Sequence, residues 1–293
     1  MNGRQLIAKL ERSNAADGKL ETVQQAVATI LDRPLPMDLL SGRVVGHPLH
    51  PASVQVPLGC WVAACALDTF GSPTAKPAAR LLIGLGVASA VPSVLTGLAE
   101  WVHTREAERR VGAVHAIVNG IGTACFTASW VRRRSTSRGG RAEALLGLAV
   151  VGIGGWLGGY LAYARGVGVS TTAFLPVPRD WVAVAHRADV TAGSCHGAEV
   201  NGVAVALAEL PRDPSIIVAM ESRCTHRGGP LHEGPIEGDC VRCPWHGSLF
   251  DLATGAARRG PASVGQLVYE TRVVDGEIEI MGDDPGGLRA AAI

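Results

Sequence analysis

The chain has 293 residues, enough for two domains, and its 27 Lys and Arg nearly balance 26 Asp and Glu. That balance gives a nucleic-acid partner no electrostatic support. Charged residues are only 18% of the total, glycines number 37 and the mean hydropathy is positive, which is unusual for a water-soluble protein and ordinary for a membrane one. The seven cysteines show no disulfide-framework spacing.

Residues 1–41 read as a polar helical segment. Leu20, Val23, Val27, Ile30 and Leu31 recur at helical spacing and form one apolar stripe, which Pro34 and Pro36 are expected to end. Packing against protein is the simpler use of that stripe; lying on a membrane surface is the other. The N-terminus is polar and the first long apolar run starts near Val54, so neither a cleavable signal peptide nor a twin-arginine leader is expected.

Residues 42–168 hold four apolar segments, at about 54–70, 81–102, 112–131 and 144–163. Each approaches the roughly 20 residues that a helix needs to cross the bilayer core. A water-soluble bundle needs a polar face on every helix, and these segments have almost none. Trp101, Trp130, Tyr160 and Tyr163 lie near segment ends, as interfacial anchors do. Gly154/Gly158 and Gly155/Gly159 are small-xxx-small pairs suited to close helix contact.

Residues 169–180 read as a linker carrying Pro176 and Pro178. Residues 181–281 read as a small antiparallel β-domain, with strands near 181–185, 203–207, 216–219, 267–274 and 277–280. The Asp275-Gly276 pair marks a hairpin between the last two. Residues 282–293 are rich in Gly and Ala and are expected to be disordered. The expected architecture is thus multi-domain: an N-terminal all-α four-helix transmembrane bundle and a C-terminal all-β domain.

Chemistry concentrates in two short stretches of that β-domain. Cys224-Thr225-His226 is a C-x-H pair and Cys243-Pro244-Trp245-His246 a C-x-x-H pair. Each is followed by turn residues, Arg227-Gly228-Gly229-Pro230 in one case and Gly247-Ser248 in the other. Thiolates and imidazoles together suit an iron–sulfur cluster or zinc. A zinc reading can also draw on Cys240, which forms C-x-x-C with Cys243. Cys195-His196 reads as an incidental loop pair.

The stretches CTHRGGPL and CPWHGSLFDLATG resemble the Rieske [2Fe–2S] family over roughly 181–281. The resemblance implies that Cys224 and Cys243 hold the inner iron and that His226 and His246 hold the outer one. High-potential members tie their two loops with a disulfide; the matching positions here are Gly229 and Trp245, so that bridge is not expected. Ser248 can still donate to a cluster sulfur, whereas Phe250 stands where some relatives place a tyrosine hydroxyl. Fewer donors leave the reduced cluster less stabilised, so a ferredoxin-like potential is expected, in the lower half of the range of roughly −150 to +300 mV.

Residues of about 42–168 resemble a bacterial family of four-helix membrane domains. The likeness rests on Gly46-His47-Pro48-Leu49-His50-Pro51, Gly97-Leu98-Ala99-Glu100-Trp101, His115-Ala116-Ile117-Val118-Asn119 and Gly155-Trp156-Leu157-Gly158-Gly159. It implies a topology and no activity. Alternating spans would bring His47, His50, His103 and His115, with Glu100 and Asn119 nearby, to one membrane face. They read either as helix-capping groups meeting water or as a haem, metal or quinone site.

These features together imply an integral membrane protein of the bacterial cell membrane. It would carry single electrons between a membrane or soluble donor and an unidentified redox partner, as an electron-transfer component rather than a self-contained enzyme. Alternatives are a redox or iron sensor coupled to the bundle, and a ferredoxin-like component of an oxygenase system. A self-contained Rieske oxygenase is not expected, because no large domain follows the cluster domain. Arginines flank both sides of the spans. The positive-inside rule favours an outward Rieske domain only weakly, and a cluster assembled in the cytoplasm favours a cytoplasmic one.

Overall fold

In a computed structural model, residues 3–135 and 139–282 are described. The contacts divide the chain into two units: Met1–Arg33 with Leu49–Val167, and Pro34–Pro48 with Gly168–Ile293. The tail expectation for 283–293 lies outside the described residues.

The first unit is helical. It contains α1 (Gly3–Arg12), α2 (Asp17–Leu31), α4 (His50–Ser53), α5 (Gln55–Phe70), α6 (Lys76–Trp101), α7 (Glu106–Ser135) and α8 (Arg141–Tyr163). Helix α3 (Pro34–Leu40) belongs to the second unit. The long helices α5 to α8 pack as a bundle in which α8 returns to α5. Helix α6 opens with Pro77 in its first turn, where the missing N–H costs nothing. Farther along it tolerates Pro92, beside which the Thr96 hydroxyl donates to the Pro92 carbonyl at 2.9 Å and lies 3.0 Å from that of Ser93.

Glycines let the helices approach, because large side chains of one helix seat where another lacks a Cβ. Trp61 and Phe126 stack at 4.3 Å in the core, worth about 1 kcal/mol beyond burial. A Cβ added at Gly86 would lie 2.3 Å from the Trp61 indole, and one at Gly147 would lie 3.0 Å from the Phe126 ring. Trp101 and Trp130, read as interfacial anchors, turn inward onto Gly112 and Gly84 for the same reason. Tyr160 bonds Glu11 at 2.7 Å, and Tyr163 stays exposed. Of the two glycine pairs on α8, Gly154 and Gly158 receive Asn119 and His115 from α7, whereas Gly155 meets nothing within 4 Å.

Only 22–28% of the most apolar window of each long helix is buried, so most of that apolar surface faces outward. All four helices are long and apolar enough to cross a membrane. Arg133 on α7 and Asp68 on α5 form a two-pronged ion pair whose side chains are 9% and 6% exposed.

The N-terminal helices are held by polar side chains as well as by part of the expected apolar stripe. Gln24 donates to the Trp101 and Thr104 carbonyls at 2.8 and 2.9 Å, and Arg109 meets Glu21 at 2.8 Å. Leu31 is buried, but Val23 and Ile30 are more than half exposed. The expected proline stop is corrected in part. Helix α2 ends at Leu31 before either proline, and Pro34 then opens α3, since proline fits a first helical turn.

The second unit is an antiparallel β-domain. Among the described residues its strands are β1 (Val182–His186), β2 (His196–Val200), β3 (Val203–Leu210), β4 (Asp213–Glu221), β5 (Ile236–Glu237), β6 (Cys240–Arg242), β7 (Leu249–Asp251), β8 (Ala257–Arg259), β9 (Val268–Val274) and β10 (Glu277–Met281). One sheet has the order β1-β10-β9-β4-β3-β2 and the other β5-β6-β7-β8. Asp275 and Gly276 take positive φ of 50° and 86° at the expected hairpin. Asn201-Gly202 does the same between β2 and β3, a signal the sequence reading missed. Helix α3 adds a contact to this unit: Gly260 N donates to Asp38 Oδ1 at 2.7 Å, and Arg43 lies 3.0 Å from the same carboxylate.

Candidate metal centre

Two loops with matching backbone build the site. The first leaves β4 and the second joins β6 to β7. In the first, Cys224 N donates to Gly229 O at 2.9 Å and Gly228 N to Cys224 O at 2.8 Å. In the second, Cys243 N donates to Ser248 O at 2.8 Å and Gly247 N to Cys243 O at 3.0 Å. Each turn closes on a glycine with positive φ, +79° at Gly228 and +73° at Gly247, which a side chain would strain. The loops therefore present their cysteines in the same way.

Both thiols are buried, with exposures of 1% for Cys224 and 2% for Cys243. They share a side-chain hydrogen bond. That bond, with burial, holds the Cys224 proton well above the ordinary thiol range. The same bond pulls Cys243 down to about 6, helped by the amides of Trp245 and His246. Cys224 receives the corresponding amides of His226 and Arg227. The His226 and His246 rings stand 5.1 Å apart and nearly perpendicular.

Bracing extends beyond the motif. Thr171, within the expected linker, donates its hydroxyl to Cys224 O at 2.8 Å and its amide to Thr225 O at 3.1 Å. Gln266 donates to the Glu221 and Arg223 carbonyls at 2.8 and 2.6 Å. Motif spacing says nothing of either. Ser248 is fully buried and accepts from Ala262 N at 3.0 Å, which leaves its own proton to donate elsewhere. A Cβ at Gly229 would lie 2.7 Å from Cys243 Sγ and 3.0 Å from Trp245 Cγ, so these two positions touch without a disulfide. Phe250 is buried in the core and offers no hydroxyl.

Cys240 lies on β6 opposite Asp251 rather than in the thiol pair. Cys195 precedes β2 and packs against the core. Among the described residues no three or more His, Cys, Asp or Glu gather for one ion; the donors come as a thiol pair and an imidazole pair. Two imidazoles directly across one metal, with bonds of about 2.0–2.1 Å, would have ring centres roughly 6.3 Å apart. The 5.1 Å here is the bent spacing of two ligands on a four-coordinate ion. Two pairs, each able to hold one metal, fit a binuclear cluster.

The other histidines separate. His50 and His115 come together in the first unit, with ring centres 6.4 Å apart. His103 is buried and lies 3.7 Å from Asp32 of the same unit. His47 falls in the second unit, beside the Pro48 carbonyl at 3.0 Å.

Residues 180–271 match the family described as Rieske [2Fe–2S] domain, and residues 46–171 match one described as predicted membrane protein (DUF2231). The chain is 33% identical to ferredoxin CarAc of Metapseudomonas resinovorans over 103 residues, 35% of this chain and 94% of that protein. It is 41% identical to the anthranilate 1,2-dioxygenase ferredoxin subunit of Burkholderia cepacia over 64 residues, 22% of this chain and 59% of that one. Among solved structures, the Sphingomonas yanoikuyae B1 ferredoxin aligns over its whole length and 36% of this chain, with 24% identity and a TM-score of 0.33. The Rieske domain thus resembles ferredoxin components of oxygenase systems, which implies a [2Fe–2S] cluster and electron transfer. The chain belongs to the Rieske [2Fe–2S] proteins, with its Rieske domain joined to a domain of a predicted membrane protein family.

Proposed function

We propose that this protein is a membrane-anchored one-electron carrier, with Cys224 and Cys243 holding one iron and His226 and His246 the other. The observation that carries this reading is the pair of matched loops, which present two buried thiols in hydrogen-bond contact and two imidazoles 5.1 Å apart. When bound, a [2Fe–2S] cluster takes up and returns a single electron. Two main-chain amides aimed at each cysteine sulfur stabilise negative charge there. Burial keeps water from the thiols. Ser248 has a hydroxyl proton left to donate, and the close fit of Trp245 against Gly229 closes the space between the loops.

The four apolar helices, with most of their apolar surface outward, support insertion in the bilayer of a cell. The ferredoxin relatives support an oxidoreductase as acceptor, an oxygenase component being the class their names point to. A cytoplasmic Rieske domain suits a cluster assembled there. A reporter fused after residue 293 should be active in the cytoplasm; activity only in the periplasm would reverse the orientation. The functional test is a reductive titration of the detergent-solubilised protein. The cluster absorbance should bleach with uptake of one electron per cluster, and a protein without iron and acid-labile sulfide would refute the reading.

A further inference from the structure

Inside the helical unit, apart from the cluster loops, lies a polar layer that no packing requirement explains. His50 at the start of α4 and His115 on α7 face each other with ring centres 6.4 Å apart and planes at 81°. His50 Nδ1 lies 3.0 Å from Ser93 O, and His115 Nδ1 lies 2.8 Å from Gly154 O. A carbonyl only accepts, so each Nδ1 carries its proton and each Nε2 is the accepting nitrogen; that of His115 lies 3.4 Å from the Asn119 amide nitrogen, at the long end of hydrogen-bond range. Metal-bound histidines are held in this way, with the distal ring N–H given to a main-chain carbonyl that fixes tautomer and orientation. Two histidines from different helices are held so at one level of the bundle.

Glycine makes the room. A Cβ at Gly97 would stand 2.9 Å from His50 Cε1, and one at Gly158 would stand 3.0 Å from His115 Cε1. The ring separation also carries information. Two imidazoles on opposite sides of one metal, with bonds of about 2.0–2.1 Å, have centres roughly 6.3 Å apart. The loop histidines at 5.1 Å are too close for that arrangement, and His50 and His115 match it.

We propose that His50 and His115 are the two axial ligands of a metal centre within the helical unit, with haem iron as its occupant. A bare ion asks for about four donors. Among the described residues no three or more His, Cys, Asp or Glu gather to supply them. A porphyrin brings four nitrogens of its own and needs two from the protein, one per face. Iron ligated on both faces has no open position for oxygen, so such a site is confined to accepting and giving single electrons.

The test uses the full chain purified in detergent from cells supplied with haem. Haem is assayed as the pyridine haemochrome, total metals by mass spectrometry and ligation by optical and electron paramagnetic resonance spectra. Stoichiometric low-spin haem is expected. His50→Ala and His115→Ala should each lower haem content at least about tenfold, while His103→Ala keeps it. His115→Met, which retains a ligand, should hold haem with a shifted spectrum and so separate lost ligation from lost folding. A metal present without haem absorbance, and lost in both alanine variants, would overturn haem as the occupant. Protein with neither haem nor stoichiometric metal at this site, or haem that survives both alanine substitutions, would overturn the proposal. Iron–sulfur content measured in the same samples reports on the other site separately.

Discussion

The molecule contains two histidine pairs built by opposite means. His226 and His246 sit on short matched loops, each within three residues of a cysteine, and their rings are 5.1 Å apart. His50 and His115 are 65 positions apart in the sequence, sit on helices and stand 6.4 Å apart. In the loops, main-chain amides and glycine turns fix the donors, so the motif is local and a spacing rule finds it. In the bundle, carbonyls and missing Cβ atoms on other helices fix the donors, so the arrangement exists only once the helices have packed. The loop pair is thus legible as a motif, whereas for the bundle the sequence offers four candidate histidines and only the packing brings His50 and His115 together.

The largest expected effect follows from the loop pair. Cys224→Ser or Cys243→Ser should abolish iron and acid-labile sulfide, because both thiols face one point and no other cysteine lies there. His226→Ala and His246→Ala should do the same. Cys240→Ser should retain the cluster, since Cys240 pairs with Asp251 across β6 and β7. Iron lost from Cys240→Ser and kept by Cys243→Ser would reverse the ligand assignment.

The next effect separates a structural polar pair from a ligand pair. Removing the Asp68 carboxylate as Asp68→Ala strands a buried guanidinium and should cost about 3–5 kcal/mol, measured by unfolding in detergent. The double change Asp68→Leu with Arg133→Met should recover much of it. Cluster content in folded protein should not change in either variant.

A third comparison sets one glycine against another. Gly229→Ala pushes a methyl group to 2.7 Å from Cys243 Sγ, whereas Gly158→Ala pushes one to 3.0 Å from His115 Cε1. Each should cost about 1–3 kcal/mol through overpacking. Gly229→Ala should lower cluster retention, and Gly158→Ala should leave it unchanged. Equal cluster loss in both would mean that the two sites are not separately built.

The smallest effect concerns acid. Burial alone would raise Asp251, but hydrogen bonds from Arg258 and Thr254 outweigh it and hold the carboxyl below its usual range. A lowered folded-state value means that the contribution is present above the unfolded value of about 3.9 and is lost as pH falls through the folded one. Asp251→Asn should therefore destabilise the β-domain at neutral pH and show a shallower loss as pH falls below about 4. A wild-type-like acid profile in that variant would count against the bond.

How far the fold was legible follows the same division. The four apolar segments and the Asp275-Gly276 turn are each carried by a run or a spacing and stand where expected, and the two Cys-His motifs fall on the matched loops. Strands β5 to β8 are two or three residues long, too short for an alternation to register. Thr171 and Gln266 brace the first loop from 53 and 43 residues away, a separation that local pattern does not encode. Trp101 and Trp130 read as interfacial by position, and the glycines opposite them draw them inward.

Electron paramagnetic resonance of the dithionite-reduced protein, prepared with 15N-labelled histidine, tests the central assignment most directly. The expected result is a [2Fe–2S] signal whose hyperfine structure shows two strongly coupled histidine nitrogens. That coupling should be lost, together with the signal, in His226→Ala or His246→Ala. A spectrum without histidine coupling, or a silent protein containing zinc in place of iron, would contradict it.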